Sequence, residues 1–309
     1  MGTRRLDTTV VSHGTRLAVW HFPAVDDRLA GPAGRPCAVM AHGFGATRAD
    51  HLEPYAERFA EAGCEVLVLD YRGFGDSGTE PGVPRRLVDH RRHRADYHAV
   101  IAHARALDGV DPDRVAVWGS SYSGGHVVAV AARDPRVAAV VSQGAAMDGA
   151  AAVLQILSYA GPLALVRLTG HALRDALRGL LRRPPHEIAI FAEPGGTAAM
   201  TSPDSASGYG AIVGPDFVNR MPARAILPIP LNRPVRLAPR VRVPMLLVMA
   251  TADSVAPPAA VERVARTAGG PVRVERFDVG HFEIYLGEVF ERSVAAQVEF
   301  LRETLGPQE

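Results

Sequence analysis

The chain has 309 residues, 47% hydrophobic and 22% charged, an ordinary globular composition with length enough for one large or two small domains and a substantial core. Thirty-four basic side chains, all arginine, stand against 33 acidic ones for a net charge of +1, so no global attraction to polyanions exists and neither nucleic acid nor a membrane is expected as a partner. Two cysteines, Cys37 and Cys64, are too few for a disulfide scaffold and fall on or beside expected buried strands, which predicts free thiols in a reducing compartment.

The first residues, Met1-Gly2-Thr3-Arg4-Arg5-Leu6-Asp7, lead into alternating residues instead of an apolar run, so no signal peptide is expected and the location expected is cytoplasmic. Alternation at 8–11 and 17–22 around Ser12-His13-Gly14-Thr15 predicts an opening hairpin. Short apolar runs at 37–41, 65–69, 115–118, 137–141, 244–249 and 272–277 predict six further strands, for eight in all. Helical spacing lies between them at 52–62, 94–106, 125–132, 259–268 and 288–305. Strands alternating with helices in this way predict an α/β fold with a mostly parallel sheet covered on both faces.

Residues 149–239 break the alternation, with apolar helices first and then a Pro/Gly/Ser-rich stretch. The expected division is a core domain of residues 1–148 and 240–309 carrying a lid or cap insertion, 149–239, after the sixth strand. Such an insertion would project from the carboxyl edge of the sheet, where open α/β folds bind ligands. Leu154, Leu157 and Leu163 are expected to line a substrate pocket from it. The most apolar stretch, 150–168, is interrupted by Gln155, Ser158, Gly161, Pro162 and Arg167, which argues against a membrane span.

Gly119-Ser120-Ser121-Tyr122-Ser123-Gly124-Gly125 runs from an expected strand into an expected helix. A nucleophile elbow needs such a turn, with small residues two before and two after a strained, exposed serine. Ser121 satisfies this with Gly119 and Ser123 as flanks; Ser123 is the competing register, with a serine where the leading glycine is needed. A serine hydroxyl is a poor nucleophile without an adjacent base. His281, after the last strand and announced by Gly280, is the expected general base, and Asp253, in the loop after the preceding strand, its expected orienting carboxylate. Asp148, Asp278 and Glu283 are alternative orienters. Oxyanion donors are expected from the backbone N–H groups of Phe44, in the Gly-rich loop His42-Gly43-Phe44-Gly45, and of Tyr122. His42 is expected to hold that loop.

With Ala41-His42-Gly43-Phe44-Gly45, Asp70-Tyr71-Arg72-Gly73-Phe74-Gly75-Asp76-Ser77-Gly78, Gly119-Ser120-Ser121-Tyr122-Ser123-Gly124-Gly125-His126, Asp253 and Gly280-His281-Phe282, the chain resembles the α/β-hydrolase superfamily over essentially its whole length. The chain order Ser121, Asp253, His281 agrees with it. Within that superfamily it looks like bacterial esterases of the dienelactone hydrolase and acyl-peptidase branch, although dienelactone hydrolases carry a cysteine where this chain has Ser121. The resemblance implies a Ser-His-Asp hydrolase that needs no cofactor.

Other features point to ordinary structure. The basic run at 85–94 is interrupted by Asp89 and lacks an aromatic platform for nucleic acid, while His90, His93 and His98 lack metal-site spacing. The expected function is a serine hydrolase that cleaves a small or medium carboxylic ester, lactone or thioester through an acyl-enzyme. Its partner is expected to be a small-molecule acyl substrate. An acyltransferase or cyclase using the same three side chains, or a binding protein on the same fold, are the alternatives.

Overall fold

A computed structural model of the protein describes residues 3–307. The chain opens with β1 (Leu6–Ser12) and β2 (Thr15–Phe22), an antiparallel hairpin closed by two residues at positive φ, His13 (46°) and Gly14 (79°), which suits the twist of a two-residue turn. Then come β3 (Arg35–Ala41), α1 (Glu53–Glu61), β4 (Glu65–Leu69), α2 (His90–Arg105), β5 (Val110–Ser120), α3 (Tyr122–Ala131) and β6 (Val140–Gln143). A long helix, α4 (Gly149–Leu180), leads to three short strands, β7 (Glu187–Phe191), β8 (Ala198–Met200) and β9 (Met221–Pro222), with α5 (Ser205–Ile212) between the last two. The chain ends with β10 (Met245–Ala250), α6 (Pro258–Thr267), β11 (Val272–Phe277) and α7 (Gly287–Leu305).

Eight strands form one sheet in the order β1-β2-β4-β3-β5-β6-β10-β11, parallel from β4 onward. This is the fold expected of an α/β hydrolase. The middle strands are buried along both faces, which is why they read as continuous apolar runs. On one face α1 and α7 cover a core containing Tyr55, Phe59, Trp118 and Phe300; on the other α2, α3 and α6 cover a core containing Tyr97, Ile101, Val127 and Val264. Several boundaries differ from expectation: β5 begins at Val110 instead of 115 and α3 at Tyr122 instead of 125. Helix α2 starts at His90, because the Asp89 carboxylate caps the Arg91 and Arg92 amides at 2.8 and 3.3 Å. Strand β6 is regular only from Val140, although the chain already bonds β5 through the Ala138 amide and the Ala139 carbonyl.

Between β6 and β10 the chain packs into the second of these cores through Leu168, Ile190, Tyr209, Met221 and Val235. The stretch 192–239, irregular by sequence, holds β8, β9, α5 and four short 3₁₀ turns. By length and composition α4 would reach across a bilayer. Its backbone leaves helical geometry at Gly161 (φ 76°, ψ 171°) just before Pro162, so it is two shorter helices joined at an angle.

Candidate active site

The loops after β3, β5, β10 and β11 meet at the carboxyl edge of the sheet. Between the last residue of β5 and the first of α3 lies a single residue, Ser121, with φ 56° and ψ −119°. That conformation costs a non-glycine residue roughly 1–3 kcal/mol. It is held because the Ser121 N–H donates to Gln143 at 2.8 Å and its carbonyl accepts from Gly124 and Ala146 at 3.0 and 2.9 Å. The turn leaves no space for larger neighbours. A Cβ on Gly119 would lie 2.3 Å from the Ser123 carbonyl oxygen, and one on Gly124 would lie 2.6 Å from the Ala145 methyl. Ser123, the competing register, is fully buried; its hydroxyl donates to the Ala41 carbonyl at 2.8 Å and meets the Tyr97 hydroxyl at 2.9 Å.

His281 follows β11 and brings Nε2 to 3.0 Å from the Ser121 hydroxyl oxygen. Its Nδ1 lies 2.6 Å from Asp253 Oδ2, and the other carboxylate oxygen accepts from the Val255 and Ala256 amides at 2.8 and 2.6 Å. Both side chains are buried. Burial alone would lower the His281 pKa, but Asp253, first by charge and then by hydrogen bonding, and the charge of Asp204 together raise it above the ordinary imidazole value. The alternative carboxylates are engaged elsewhere. Asp148 caps α4 and pairs with Arg233, Asp278 accepts from Thr251, and Glu283 accepts from the Gly280 amide.

Phe44 and Tyr122 come together across the Ser121 turn, their rings 5.4 Å apart and edge to face. Among the described residues neither backbone N–H donates to an acceptor in the chain. Tyr122 is the first residue of α3, so its amide is one of the unpaired donors of a helix start. The loop before Phe44 is fixed by His42, whose ring nitrogen bonds the Gly43 carbonyl at 3.1 Å; burial lowers the His42 pKa to about 4 and keeps the ring neutral. Gly43 is required here, since a Cβ would come within 2.9 Å of the Ser121 Cβ.

Two hollows flank Ser121 and share Phe44 and Met200 as walls. One runs toward Leu52, Ile212 and Phe282; the other is bounded by Ala152, Ile156, Ile229, Asn232 and Val255. Leu154, Leu157 and Leu163, expected to line the pocket, border neither hollow: they are 66%, 37% and 77% exposed. The helix turns its other face inward, so Ala152 and Ile156, on the same apolar stretch, form the wall.

Sequence reasoning missed three residues that support this geometry. Asp204, before α5, accepts from the Ser202 hydroxyl at 2.7 Å and from the Ser254 hydroxyl, and its charge acts on His281. Gln155 donates from α4 to the Asp253 carbonyl at 3.1 Å. Tyr209 donates from α5 to the Phe44 carbonyl at 2.5 Å. None had a motif to mark it. Among the described residues no group of three His, Cys, Asp or Glu side chains is arranged to hold a metal ion.

The sequence model of the alpha/beta hydrolase family matches residues 38–292. The chain is 42% identical over 269 residues to the quorum-quenching protein AidA of Acinetobacter baumannii, covering 86% of each chain. It is 27% identical over 306 residues to the thiohydrolase aneE of Aspergillus aculeatus, covering 89% of this chain and 87% of that one. The crystal structure of the alpha/beta hydrolase GrgF from Penicillium sp. sh18 superposes with a TM-score of 0.80 at 22% identity, over 98% of this chain and 99% of that one, a likeness of fold.

Proposed function

The chain belongs to the alpha/beta hydrolase family, and from that premise we propose that it is a serine hydrolase, cleaving a small or medium ester, lactone or thioester through an acyl-enzyme. The observation that carries this reading is the line of contacts from Ser121 Oγ to His281 Nε2 at 3.0 Å and from His281 Nδ1 to Asp253 at 2.6 Å. The relative named a thiohydrolase supports including thioesters in the class.

His281 takes the Ser121 proton as the hydroxyl oxygen attacks the carbonyl carbon. Asp253 holds the imidazole with Nδ1–H toward itself, so that Nε2 is the free base, and it stabilises the imidazolium that forms. The oxygen of the tetrahedral intermediate, now an anion, lies between the Phe44 and Tyr122 amides; one such donor is worth about 10²–10³ in kcat. His281 then gives its proton to the leaving alcohol or thiol and the carbonyl re-forms as an acyl-serine. In the second half His281 activates water, which releases the acid and restores the serine.

Ser121→Ala removes the nucleophile and leaves the fold intact. Hydrolysis of an activated ester is expected to fall by about 10⁶-fold, and a fluorophosphonate probe that labels the wild type is expected not to label this variant. Retained hydrolysis in Ser121→Ala would overturn the reading. Product formed with an added alcohol or amine in preference to the acid would move it to acyl transfer.

A further inference from the structure

The hollow bounded by Ile156 and Val255 is lined mostly by apolar side chains, and besides Ser121 its polar side chains are those of Asn232 and Tyr122. Behind them lies Arg94, on α2, buried at 7% exposure. A buried guanidinium ordinarily has a carboxylate partner. Among the described residues Arg94 has none: the charges acting on it are those of Arg91 and Arg133 and of two phenols, and burial lowers its pKa to about 10. Its Nη2 donates instead to Asn232 Oδ1, and its Nε is buried without a partner among the described residues.

This contact fixes which way the Asn232 amide faces. With Oδ1 occupied by Arg94, the NH₂ end is left for the hollow, which Asn232 and Tyr122 both line. The Asn232 backbone cannot drift, because its N–H donates to the Ile229 carbonyl at 3.0 Å and its carbonyl accepts the Gly149 amide at 2.8 Å. Gly149 is needed for that approach: a Cβ there would lie 1.8 Å from the Ile229 oxygen. Burial keeps the Tyr122 phenol neutral, so it retains its own proton to donate.

We propose that the Asn232 amide and the Tyr122 hydroxyl form a donor subsite for an oxygen atom carried part-way along the acyl chain, so that the substrates of this site are oxygen-bearing acyl groups in preference to plain alkyl ones. The proposal rests on the acyl-enzyme reading above and names the substrate class of that same site. Arg94 is a positioning residue, acting through Asn232. An alkyl chain in the hollow leaves these donors without an acceptor and out of reach of water, which a site built for hydrogen bonding disfavours.

The test compares kcat/KM for the N-acetylcysteamine thioesters of hexanoic acid and of its 3-oxo and 5-oxo derivatives. The wild type is expected to favour at least one oxo derivative by about tenfold or more. Asn232→Asp is the informative variant. It keeps an acceptor for Arg94, so a purely structural role would be preserved, but it replaces the donor with an anion; the preference is expected to fall to near one. Tyr122→Phe, which retains the backbone amide, is expected to reduce the preference with its effect in KM. Arg273→Ala, on the exposed edge strand, controls for nonspecific change and is expected to keep the wild-type ratio.

Wild-type protein that labels with fluorophosphonate yet cleaves the hexanoyl thioester at least as well as both oxo derivatives overturns the proposal alone. So does an Asn232→Asp variant that keeps the preference. Protein that cleaves no thioester and takes no label overturns the acyl-enzyme reading and this proposal with it.

Discussion

The Tyr209 hydroxyl, carried on α5, donates at 2.5 Å to the carbonyl of Phe44, in the loop that also borders Ser121. An element between β6 and β10 therefore fixes a peptide in the loop after β3. Tyr209→Phe leaves a buried carbonyl without its partner, at a cost of about 1–3 kcal/mol. The expected result is a lower melting temperature and a kcat reduced about tenfold with little change in KM. An unchanged kcat in a variant that melts early would show the bond to be structural only.

The pH profile follows from the groups around His281. The base must be neutral to accept the Ser121 proton, so activity is expected to fall as pH drops through a pKa raised above 6.5 by Asp253 and Asp204. Removing the Asp204 charge takes away one of the raising influences. In Asp204→Asn the acidic limb of kcat/KM is expected to move to lower pH, which a rate profile between pH 5 and 9 measures. A limb that stays in place would exclude Asp204 from the field at the imidazole.

Stability should have its own acid limb. His42, His93 and His126 are buried and held neutral, their pKa values lowered first by desolvation, to about 4 for His42. The unfolded chain binds protons at these residues below about pH 6.5 and the folded chain does not, so their contribution is fully present above that pH and is lost as pH falls toward 4. Each adds a slope of about 1 kcal/mol per pH unit in that window. His281 has the opposite sign, its raised pKa stabilising the fold below 6.5 and losing that contribution as pH rises. Denaturant titrations at pH 7, 6 and 5 are expected to show net proton uptake on unfolding, smaller in His126→Leu. A flat profile would contradict the buried neutral cluster.

Gly119→Ala tests the packing of the turn. The added methyl would meet the Ser123 backbone oxygen at 2.3 Å, and neither β5 nor α3 can retreat without breaking the sheet register with Ala41. A loss of more than about 3 kcal/mol is expected, read from chemical denaturation. A variant of wild-type stability would mean that the turn is looser than these contacts imply.

The strands and the three side chains meeting at the carboxyl edge were legible because each follows its own apolar run, and such runs survive in sequence as continuous hydrophobic words. The wall of the hollow was not. In a helix as uniformly apolar as α4, composition cannot say which face turns inward, and Leu154, Leu157 and Leu163 went to solvent while Ala152 and Ile156 went to the pocket. Asn232 and Tyr209 were invisible for a different reason. Asn232 lies among 3₁₀ turns without periodicity, and its meaning comes from Arg94, 138 positions away in the chain. The start of α2 was missed for want of weight given to Asp89 as a cap.

The positive φ of Ser121 sets catalysis and durability against each other at one position. Glycine would occupy that backbone conformation without penalty, so Ser121→Gly is expected to outlast the wild type on heating while hydrolysing nothing. A selection for heat resistance that ignored turnover would drive the molecule to that inert form.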